Sequence, residues 1–405
     1  MLAIIATHPI QYHVPLWQLL AKRDTVAFEV WYLSEHATHK SRDREFGRAF
    51  SWDLDMLAGY PHRFIETPRG ATPNTPFRMR SAQPFTRLFD AHGVSHVLVM
   101  GWQVAAYWQA VWAGSKSGRE VWLRGESNAL APATGLKSLV KRPLLRELFS
   151  RVDDFLCIGT SNRDLYRSYN VPEAKLHMAP YAVDNERFAA QADAIRGQRS
   201  EIRRQWGIPD DSFCVLFCGK FVPKKRQMDL IKAVQLLTTD NSVTNNRARN
   251  AHLLFVGSGE LGAEMRAACN VIFDAESRPT GDRRPVTVEA KPPASFAGFL
   301  NQTHISQAYV AADVLVLPSD YGETWGLVVN EAMASGLCCI ISDRCGCAAD
   351  LGASKGNSVY QCGCEKDLAL EIARCAFEGN RKPVSQPPSL EETVDVVRSL
   401  FASCD

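Results

Sequence analysis

Residues 313–336 read DVLVLPSDYGETWGLVVNEAMASG, a short apolar run followed by a polar loop and a helical stretch. The run at 314–317 has no polar position, which is typical of a strand covered on both faces of a parallel sheet. Pro318 ends this strand, and a helix is predicted to begin near Thr324. A buried strand that leads through a loop into a helix favours an α/β fold.

The same alternation of apolar runs and helical stretches extends along the whole chain. Helices are predicted between the runs, for example at 226–237 and 261–269. This pattern predicts a doubly wound α/β protein with two Rossmann-like domains and a deep ligand-binding cleft between them. The other runs predicted as strands are 2–6, 28–33, 97–100, 121–123, 155–158, 213–218, 252–256 and 339–342.

Changes in composition set the predicted domain limits. A polar, helix-prone stretch separates the two halves, so residues 1–190 are predicted as an N-terminal domain and residues 191–385 as a C-terminal domain. Residues 386–405 are predicted as a C-terminal helix that packs back toward the N-terminal domain. Ser389 and Glu392 have the spacing of a capping box at its start.

The composition is that of an ordinary globular protein, with 46% apolar and 22% charged residues in 405. A net charge of +2 argues against nucleic-acid binding. Only five apolar residues follow Met1, too few for a signal peptide, and no run approaches the roughly 18 needed to span a membrane. The chain is expected to begin here and to stay in the cytoplasm with its cysteines reduced.

Two glutamates and a run of backbone amides surround the predicted start of the helix. Glu323 lies at its entrance, and Glu331 lies about two helical turns further on. The amides near Gly326, Leu327 and Val328 belong to the first turn, where they lack helical partners and can bind phosphate oxygens. Glu323 could then contact sugar hydroxyls and Glu331 a ribose. The alternative is that both glutamates are solvated surface acids.

A basic loop follows the strand predicted at 213–218. Gly219 ends the strand, and Lys220 and Lys225 come next. Two cations at the carboxyl end of a parallel strand suit a diphosphate, whose negative charge grows as the bond to the sugar breaks. The alternative is a solvated basic loop, which is the usual place for lysines.

Together these motifs closely resemble, over residues 211–351, the donor domain of retaining glycosyltransferases of family four, which have the GT-B fold. The E-x7-E motif of that family matches Glu323 and Glu331. Its basic pair matches Lys220 and Lys225, with Lys220 in a position where many members have Arg. The segment SFAGFLNQTHISQAYVAADVLVLPS, at 295–319, also resembles the family.

The resemblance implies that the domain at 1–190 binds the acceptor and that the domain at 191–385 binds the nucleotide sugar. It also implies a role for each matching residue. The first glutamate contacts the donor sugar and the second the ribose, while the basic pair neutralises the leaving diphosphate. The loop at Phe299 and Leu300 holds the base, largely through its backbone. Lys220 keeps the charge of the usual Arg but loses its bidentate fork, so the grip on phosphate differs.

The N-terminal half resembles the same superfamily more loosely. HPIQYHVPLWQLLAKR, at 8–23, is similar to the first loop and helix of members acting on surface polysaccharides, but the usual glycine pair is absent. A histidine common after the fourth strand is replaced near Trp102.

Four residues are candidates for the acceptor side: His8, Gln11, His13 and Glu126. His8 follows a strand directly, where ligand loops lie. A structural role for His8, and an ion pair of Glu126 with Arg124, are the alternatives.

The implied reaction transfers a hexose-type sugar from a nucleotide-diphosphate donor to a glycan or lipid-linked acceptor, with retention of configuration. It fits the synthesis of cell-surface polysaccharide or glycolipid, and it requires no cofactor and no metal ion, since no Asp-x-Asp motif lies in a suitable loop. A sugar-nucleotide epimerase, a glycan phosphorylase and a non-catalytic nucleotide-sugar-binding partner of another transferase remain alternatives.

Three further motifs are less specific. A G-x-G-x-x-G at 257–262 fits a nucleotide-sugar-binding turn better than an NAD site, because it lies far inside the chain. The pairs Cys345-Gly-Cys347 and Cys362-Gly-Cys364 are spaced too closely for the usual zinc site. The basic, apolar stretch at 136–151 predicts either a solvated helix or a peripheral contact with the inner face of a membrane.

Overall fold

The computed structural model describes residues 1–35, 41–43, 48–50, 52–72, 74–130, 136–239, 246–276, 291–378 and 385–403. The chain divides into two compact units. The first unit comprises Met1–Ser41, Phe50–Asp184 and Pro388–Asp405, and the second comprises Arg42–Ala49 and Asn185–Pro387. The main boundary therefore lies between Asp184 and Asn185, slightly before the predicted limit at 190.

The first unit is built on a seven-stranded sheet of order β5-β2-β1-β6-β7-β8-β9, in which every neighbouring pair is parallel. Its strands are β1 Leu2–Ala6, β2 Phe28–Tyr32, β5 His62–Phe64, β6 His96–Val99, β7 Glu120–Leu123, β8 Asp154–Cys157 and β9 Leu176–Met178. Its helices are α1 Val14–Arg23, α2 Phe85–Ala91, α3 Ala105–Lys116, α4 Leu136–Phe149, α5 Thr160–Ser168 and α15 Leu390–Ala402, with a 3-10 turn at Glu173–Lys175.

The second unit repeats this architecture with a parallel sheet of order β12-β13-β11-β10-β14-β15-β16. Its strands are β10 Phe213–Cys218, β11 Ala251–Val256, β12 Asn270–Asp274, β13 Pro293–Gly298, β14 Val314–Leu317, β15 Cys339–Ser342 and β16 Ser358–Tyr360. Its helices are α6 Asn185–Ile195, α7 Arg199–Gln205, α8 Gln227–Thr239, α9 Asn246–Arg249, α10 Gly262–Ala268, α11 Ser306–Ala311, α12 Leu327–Ala334, α13 Ala348–Leu351 and α14 Glu365–Glu378, with 3-10 turns at Arg196–Gln198 and Pro223–Lys225.

A separate two-stranded ribbon is formed by β3 Ser41–Asp43 and β4 Arg48–Phe50.

The apolar runs of the sequence form the centres of both sheets. Every residue of β1, β11 and β14 is buried, as expected for parallel strands covered by helices on both faces. The prediction of two doubly wound α/β halves is thus confirmed in each unit.

Helix α15 belongs to the first unit, where it lies along α1. Its buried face is Val394, Val397 and Leu400, which join the core of that unit. The predicted capping box is present: the Ser389 hydroxyl accepts the Glu392 N–H, and the Glu392 carboxylate accepts the Ser389 N–H. The cap fixes where this helix begins.

Within the described part of the chain, none of the helices combines the length and apolar character needed to cross a membrane.

Candidate functional site

The order in which the chain adds strands to the second sheet reverses between β10 and β14. From β10 the chain proceeds to β11 on one side, and it later returns to place β14 on the other side. The two strands pair in parallel, with Val215 opposite Val314, so their carboxyl ends lie side by side. Ligands of open α/β sheets bind at the carboxyl ends of strands at such a switch point. The loops that follow β10 and β14 are therefore the candidate ligand-binding site.

The loop after β10 is held in place by the glycine motif at 257–262. The Gly219 N–H donates to Val256 O at 2.9 Å, and the Phe221 N–H donates to Ser258 O at 2.9 Å. A Cβ on Gly257 would lie 1.9 Å from Gly219 O, so only glycine permits this approach of the two loops. In this structure the motif packs one loop against the other, and thereby positions the basic loop.

The loop after β14 is joined to the basic loop through its backbone. The Asp320 N–H donates to Lys224 O at 2.9 Å, and the Glu323 N–H donates to Asp320 O at 2.9 Å. The Asp320 carboxylate accepts the Gly322 N–H at 2.8 Å, which closes a tight local turn. These bonds bring the side chain of Glu323 to that of Lys225.

Lys225 and Glu323 form an ion pair between Nζ and Oε2, and their side chains are only 16% and 15% exposed. The Ser319 hydroxyl donates to the same Oε2 at 3.2 Å. Burial lowers the pKa of Lys225, but the charge of Glu323 and the hydrogen bond to it outweigh burial and hold that pKa above the ordinary lysine value. The site therefore holds a lysine and a glutamate side chain in direct contact, largely shielded from water.

Helix α12 begins at Leu327, not near Thr324 as predicted. Gly326 precedes it with φ +110°, a left-handed conformation that other residues rarely adopt, and a Cβ there would lie 2.5 Å from Leu317 Cδ2. The Trp325 indole N–H donates to Asn330 Oδ1 at 2.9 Å, which fixes this entry into the helix. Glu323 thus lies in the loop before the helix.

The start of α12 retains the donors expected of a helix terminus. The Val329 N–H bonds to Gly326 O at 2.9 Å. Because the first four N–H groups of a helix have no partner one turn earlier, those of Leu327 and Val328 are the remaining first-turn donors for an anion.

Glu331 lies on α12 and is only 3% exposed. The Tyr309 hydroxyl, from α11, donates to its Oε2. Burial raises the pKa of Cys218, at the end of β10, to about 12, and the charges of Glu331 and Lys225 act on it in opposite directions. Glu331 and Lys225 therefore both lie near Cys218, at the end of β10.

The remaining donor-side predictions are distributed over neighbouring loops. Lys220 lies at the start of the basic loop and is partly exposed, but Lys225 is the lysine that contacts Glu323. Phe299 and Leu300 directly follow β13 and are half-buried. Their loop is tied to the glycine motif, because the Gly257 N–H donates to Gly298 O at 2.8 Å.

The closely spaced cysteines support the acidic loop. The Gly346 N–H donates to Glu323 O and the Cys347 N–H to Trp325 O, both at 3.1 Å. Cys345 and Cys347 are buried, and burial raises the pKa of both thiols well above the ordinary value. The described residues hold no group of three or more His, Cys, Asp or Glu side chains that could bind a metal ion.

The acceptor-side candidates lie in the first unit, after β1 and β7. His13 Nε2 lies 3.2 Å from the Tyr181 hydroxyl and 3.4 Å from Glu126 Oε1. The Tyr181 hydroxyl donates to the same Oε1 at 2.7 Å. His13, Glu126 and Tyr181 therefore form a connected polar cluster.

His8 and Gln11 precede α1. His8 Nδ1 lies 2.9 Å from the Thr7 hydroxyl, and Gln11 lies in the turn before α1. Both side chains are half-buried.

Glu126 contacts His13 and Tyr181, whereas the alternative predicted from the sequence is an ion pair with Arg124. Arg124 is buried and donates from one nitrogen to Ala179 O at 2.5 Å and from another to Pro180 O at 3.3 Å. Partial burial raises the pKa of Glu126, but His13, Tyr181 and the charge of Arg124 outweigh it and hold that pKa below its ordinary value. Glu126 is therefore an ionised hydrogen-bond acceptor at neutral pH.

Sequence reasoning missed three hydroxyls that hold the carboxylates: Ser319, Tyr309 and Tyr181. Ser319 is the second residue after β14, and both Ser319 and Tyr309 lie inside the segment that resembles the family, so both were within reach of the motifs. Tyr181 carries no such signal.

Residues 198–375, which contain both loops and α12, match the family model of glycosyl transferases group 1. D-inositol 3-phosphate glycosyltransferase of Thermomonospora curvata is 28% identical over 181 residues, which cover 43% of this chain and 37% of that protein. An uncharacterized glycosyltransferase of Methanocaldococcus jannaschii is 28% identical over 174 residues, which cover 43% and 38%. The chain thus spans less than two fifths of the length of each relative.

A solved structure resembles the chain over its whole length. HepE of Anabaena, in complex with UDP and glucose, aligns with a TM-score of 0.63 and 13% identity, covering 100% of this chain and 98% of that one. This likeness shows the fold: the two Rossmann-like units have the GT-B architecture, which confirms the predicted fold class.

Proposed function

We propose that this protein is a retaining glycosyltransferase that moves a hexose-type sugar from a nucleotide-diphosphate sugar to a glycan or lipid-linked acceptor. The observation that carries the proposal is the ion pair of Lys225 with Glu323 at the switch point between β10 and β14. A cation for the diphosphate and an acceptor for sugar hydroxyls meet there, beside the first-turn amides of a helix.

Each donor-side residue has a distinct task in this proposal. Lys225 exchanges Glu323 for a diphosphate oxygen, with Lys220 as a second cation, and Glu323 then accepts hydrogen bonds from the sugar. The amides of Leu327 and Val328 donate to phosphate oxygens. Glu331 accepts the hydroxyls of the ribose, and the backbone around Phe299, Leu300 and Gly219 shapes the base pocket.

The chemical step breaks the bond between the anomeric carbon and the diphosphate oxygen. The acceptor oxygen forms its bond to that carbon on the same face, and its proton passes to an oxygen of the leaving diphosphate. Lys220 and Lys225 stabilise the negative charge that develops on this leaving group. Two lysine cations supply the charge that a divalent ion would otherwise bring, so no metal and no other cofactor is proposed.

The acceptor is assigned to the first unit, through His8, Gln11, His13 and Glu126. An ionised carboxylate fixed by His13 and Tyr181 suits the hydroxyl groups of a glycan, which are hydrogen-bond donors. We propose that the enzyme works in the cytoplasm, in the synthesis of cell-surface polysaccharide or glycolipid.

Helix α4 supports a peripheral contact with the inner face of the membrane for a lipid-linked acceptor. Lys141, Arg142 and Arg146 are exposed on it, and the apolar Leu144 is 52% exposed beside them. Basic side chains around an exposed apolar one suit an anionic lipid surface.

The similar proteins support transfer as the reaction. The relatives carry names of glycosyltransferases, and HepE was solved with UDP and glucose. UDP-sugars are therefore the first donors to test.

The test is a thermal-shift screen of UDP-, ADP- and GDP-sugars, followed by product analysis with the best donor. A ligand that binds the native state raises its apparent stability by mass action. Wild type should respond to one donor class, Glu323→Ala should lose turnover, and Glu264→Gln, which removes an exposed charge on α10, should match wild type.

Three results would contradict the proposal. No thermal shift with any nucleotide sugar would contradict the assignment of a donor site to the second unit. Epimerised sugar nucleotide formed without an acceptor would favour an epimerase. Donor binding without sugar release would favour a non-catalytic partner of another transferase.

A further inference from the structure

The hydroxyl of Tyr309 donates a hydrogen bond to Oε2 of the Glu331 carboxylate. Tyr309 is 2% exposed and Glu331 is 3% exposed, so both lie away from bulk water. A buried carboxylate is costly unless hydrogen bonds satisfy it. Tyr309 therefore meets part of the need of the Glu331 carboxylate for hydrogen-bond donors.

The ring of the tyrosine is packed against a neighbouring aromatic side chain. Its ring packs edge-on against Phe188 of α6, with ring centroids 6.3 Å apart and an interplanar angle of 68°. It lies on the short helix α11, which follows the Phe299–Leu300 loop after β13. The segment proposed to hold the base thus continues into the residue that holds Glu331.

A glutamate side chain on a helix has several rotatable bonds, and its carboxylate can turn unless one oxygen is anchored. The Tyr309 hydroxyl anchors Oε2. A carboxylate has about four acceptor positions, so it can accept more than one hydroxyl at a time. The two neighbouring hydroxyls of a ribose can both donate to a carboxylate whose plane is fixed.

We propose that Tyr309 is a positioning residue that fixes the Glu331 carboxylate for the 2′- and 3′-hydroxyls of the donor and so sets a preference for ribonucleotides. The inference rests on the proposed function, which assigns the ribose to Glu331. A site built to hydrogen-bond a ligand hydroxyl discriminates against the analogue that lacks it, because its buried polar groups then lose their partner.

The experiment is calorimetry of UDP and 2′-deoxy-UDP with the full chain, with ADP, GDP and their 2′-deoxy forms as further probes. The proteins are wild type, Tyr309→Phe, Glu331→Gln and the double variant. Tyr360→Phe is the matched control, since it is a buried tyrosine of the same unit whose hydroxyl lies 3.5 Å from Pro318 O rather than at a carboxylate.

Wild type should prefer the ribonucleotide by about tenfold or more, in line with sites that bind a ligand hydroxyl. Tyr309→Phe should reduce this preference about fivefold while changing the affinity for the 2′-deoxy form by less than about twofold. Glu331→Gln should remove the preference, and adding Tyr309→Phe should change nothing more, because the two residues act through one contact. Tyr360→Phe should retain the wild-type preference.

Equal weakening of both nucleotides in Tyr309→Phe would mean a purely structural role and overturn the inference, as would an unchanged preference. If Tyr309→Phe does not fold, Glu331→Gln alone decides, and a retained ribose preference in it overturns the inference. Wild type that binds nucleoside diphosphates without any ribose preference also overturns it, while the donor site stands. Wild type that binds none of them overturns the proposed function together with the inference.

Discussion

The ion pair of Lys225 with Glu323 predicts that substitutions of its two halves change nucleoside diphosphate affinity in opposite directions. In the free protein the Lys225 ammonium contacts Glu323 Oε2, so a diphosphate must compete with that carboxylate. In the proposed function, Lys225→Ala removes a cation that binds the diphosphate. Glu323→Gln removes the competitor and leaves Lys225 available. Turnover should fall in both variants, because both groups act on the donor.

The magnitude follows from the partial burial of the pair. Exposed ion pairs contribute about 0–1 kcal/mol, while two charges about 4 Å apart at an effective dielectric constant of about 20 attract by about 4 kcal/mol. With side chains 16% and 15% exposed, the pair lies between these limits. A release of about 1–2 kcal/mol strengthens diphosphate binding about 5- to 30-fold in Glu323→Gln.

Lys225→Ala loses a hydrogen bond to a charged group, worth about 1.5–3 kcal/mol, which weakens binding about 10- to 150-fold. Calorimetry of UDP, ADP and GDP measures both changes. Lys232 and Glu365 provide the matched control, since they form an ion pair at 3.3 Å elsewhere in the same unit. Lys232→Ala and Glu365→Gln should leave the affinity unchanged. Weaker binding in both Lys225→Ala and Glu323→Gln, or no change in either, would refute the reasoning.

Three further predictions concern stability and metal dependence. Burial lowers the pKa of His252 to about 4. The contribution of the neutral imidazole to the free energy of unfolding is therefore complete above pH 6.5 and falls by about 3 kcal/mol as the pH drops to about 4. Urea unfolding at each pH, monitored by hydrogen exchange of the β11 amides, should show this loss in wild type and not in His252→Gln. Asp313 is 1% exposed and pairs with the equally buried Arg203, so Asp313→Asn should cost about 3–5 kcal/mol in the same assay, whereas the exposed Glu201→Gln should change nothing measurable. Chelators should leave sugar transfer intact, because in the proposed function the two lysines of the basic loop stabilise the charge of the diphosphate. A strict requirement for manganese or magnesium would contradict this.

The central strands could be read from the sequence because they are continuous apolar runs. The bounds predicted for β1, β10, β14 and β15 agree with the structure, since these strands are continuous buried runs in which Ser342, at the end of β15, is the one hydroxyl-bearing residue.

The strands that escaped prediction lack such runs. Leu176–Met178 and Ser358–Tyr360 are short edge strands that pair on one side and carry polar residues. Pro293–Gly298 lies inside the sheet but reads PASFAG, whose small residues give no apolar run. Its register depends on the neighbouring strands rather than on its own pattern.

The start of α12 illustrates a second limit. Helical periodicity continues back to Thr324, but the left-handed conformation of Gly326 and the bond of Trp325 to Asn330 delay the helix until Leu327. The conformation of Gly326 goes with its close approach to Leu317 of the preceding strand, which the local sequence does not reveal.

Motif spacing likewise located the charged residues of the candidate site but not their partners. Lys225 and Glu323 are far apart in sequence, and their pairing requires β14 to return beside β10. Tyr309 and Ser319 look like ordinary buried residues in the sequence, and only the packing of α11 and the β14 loop brings their hydroxyls to carboxylates.

The most direct test of the proposed function is to determine the stereochemistry of sugar release by proton NMR, with the donor that the thermal-shift screen selects. Supplied with an α-linked nucleotide sugar, wild type should form product, or free sugar where water is the acceptor, that first appears as the α-anomer. Glu323→Ala should release almost none. First appearance of the β-anomer, or failure to release sugar from any donor that binds, would contradict the assignment of a retaining transferase.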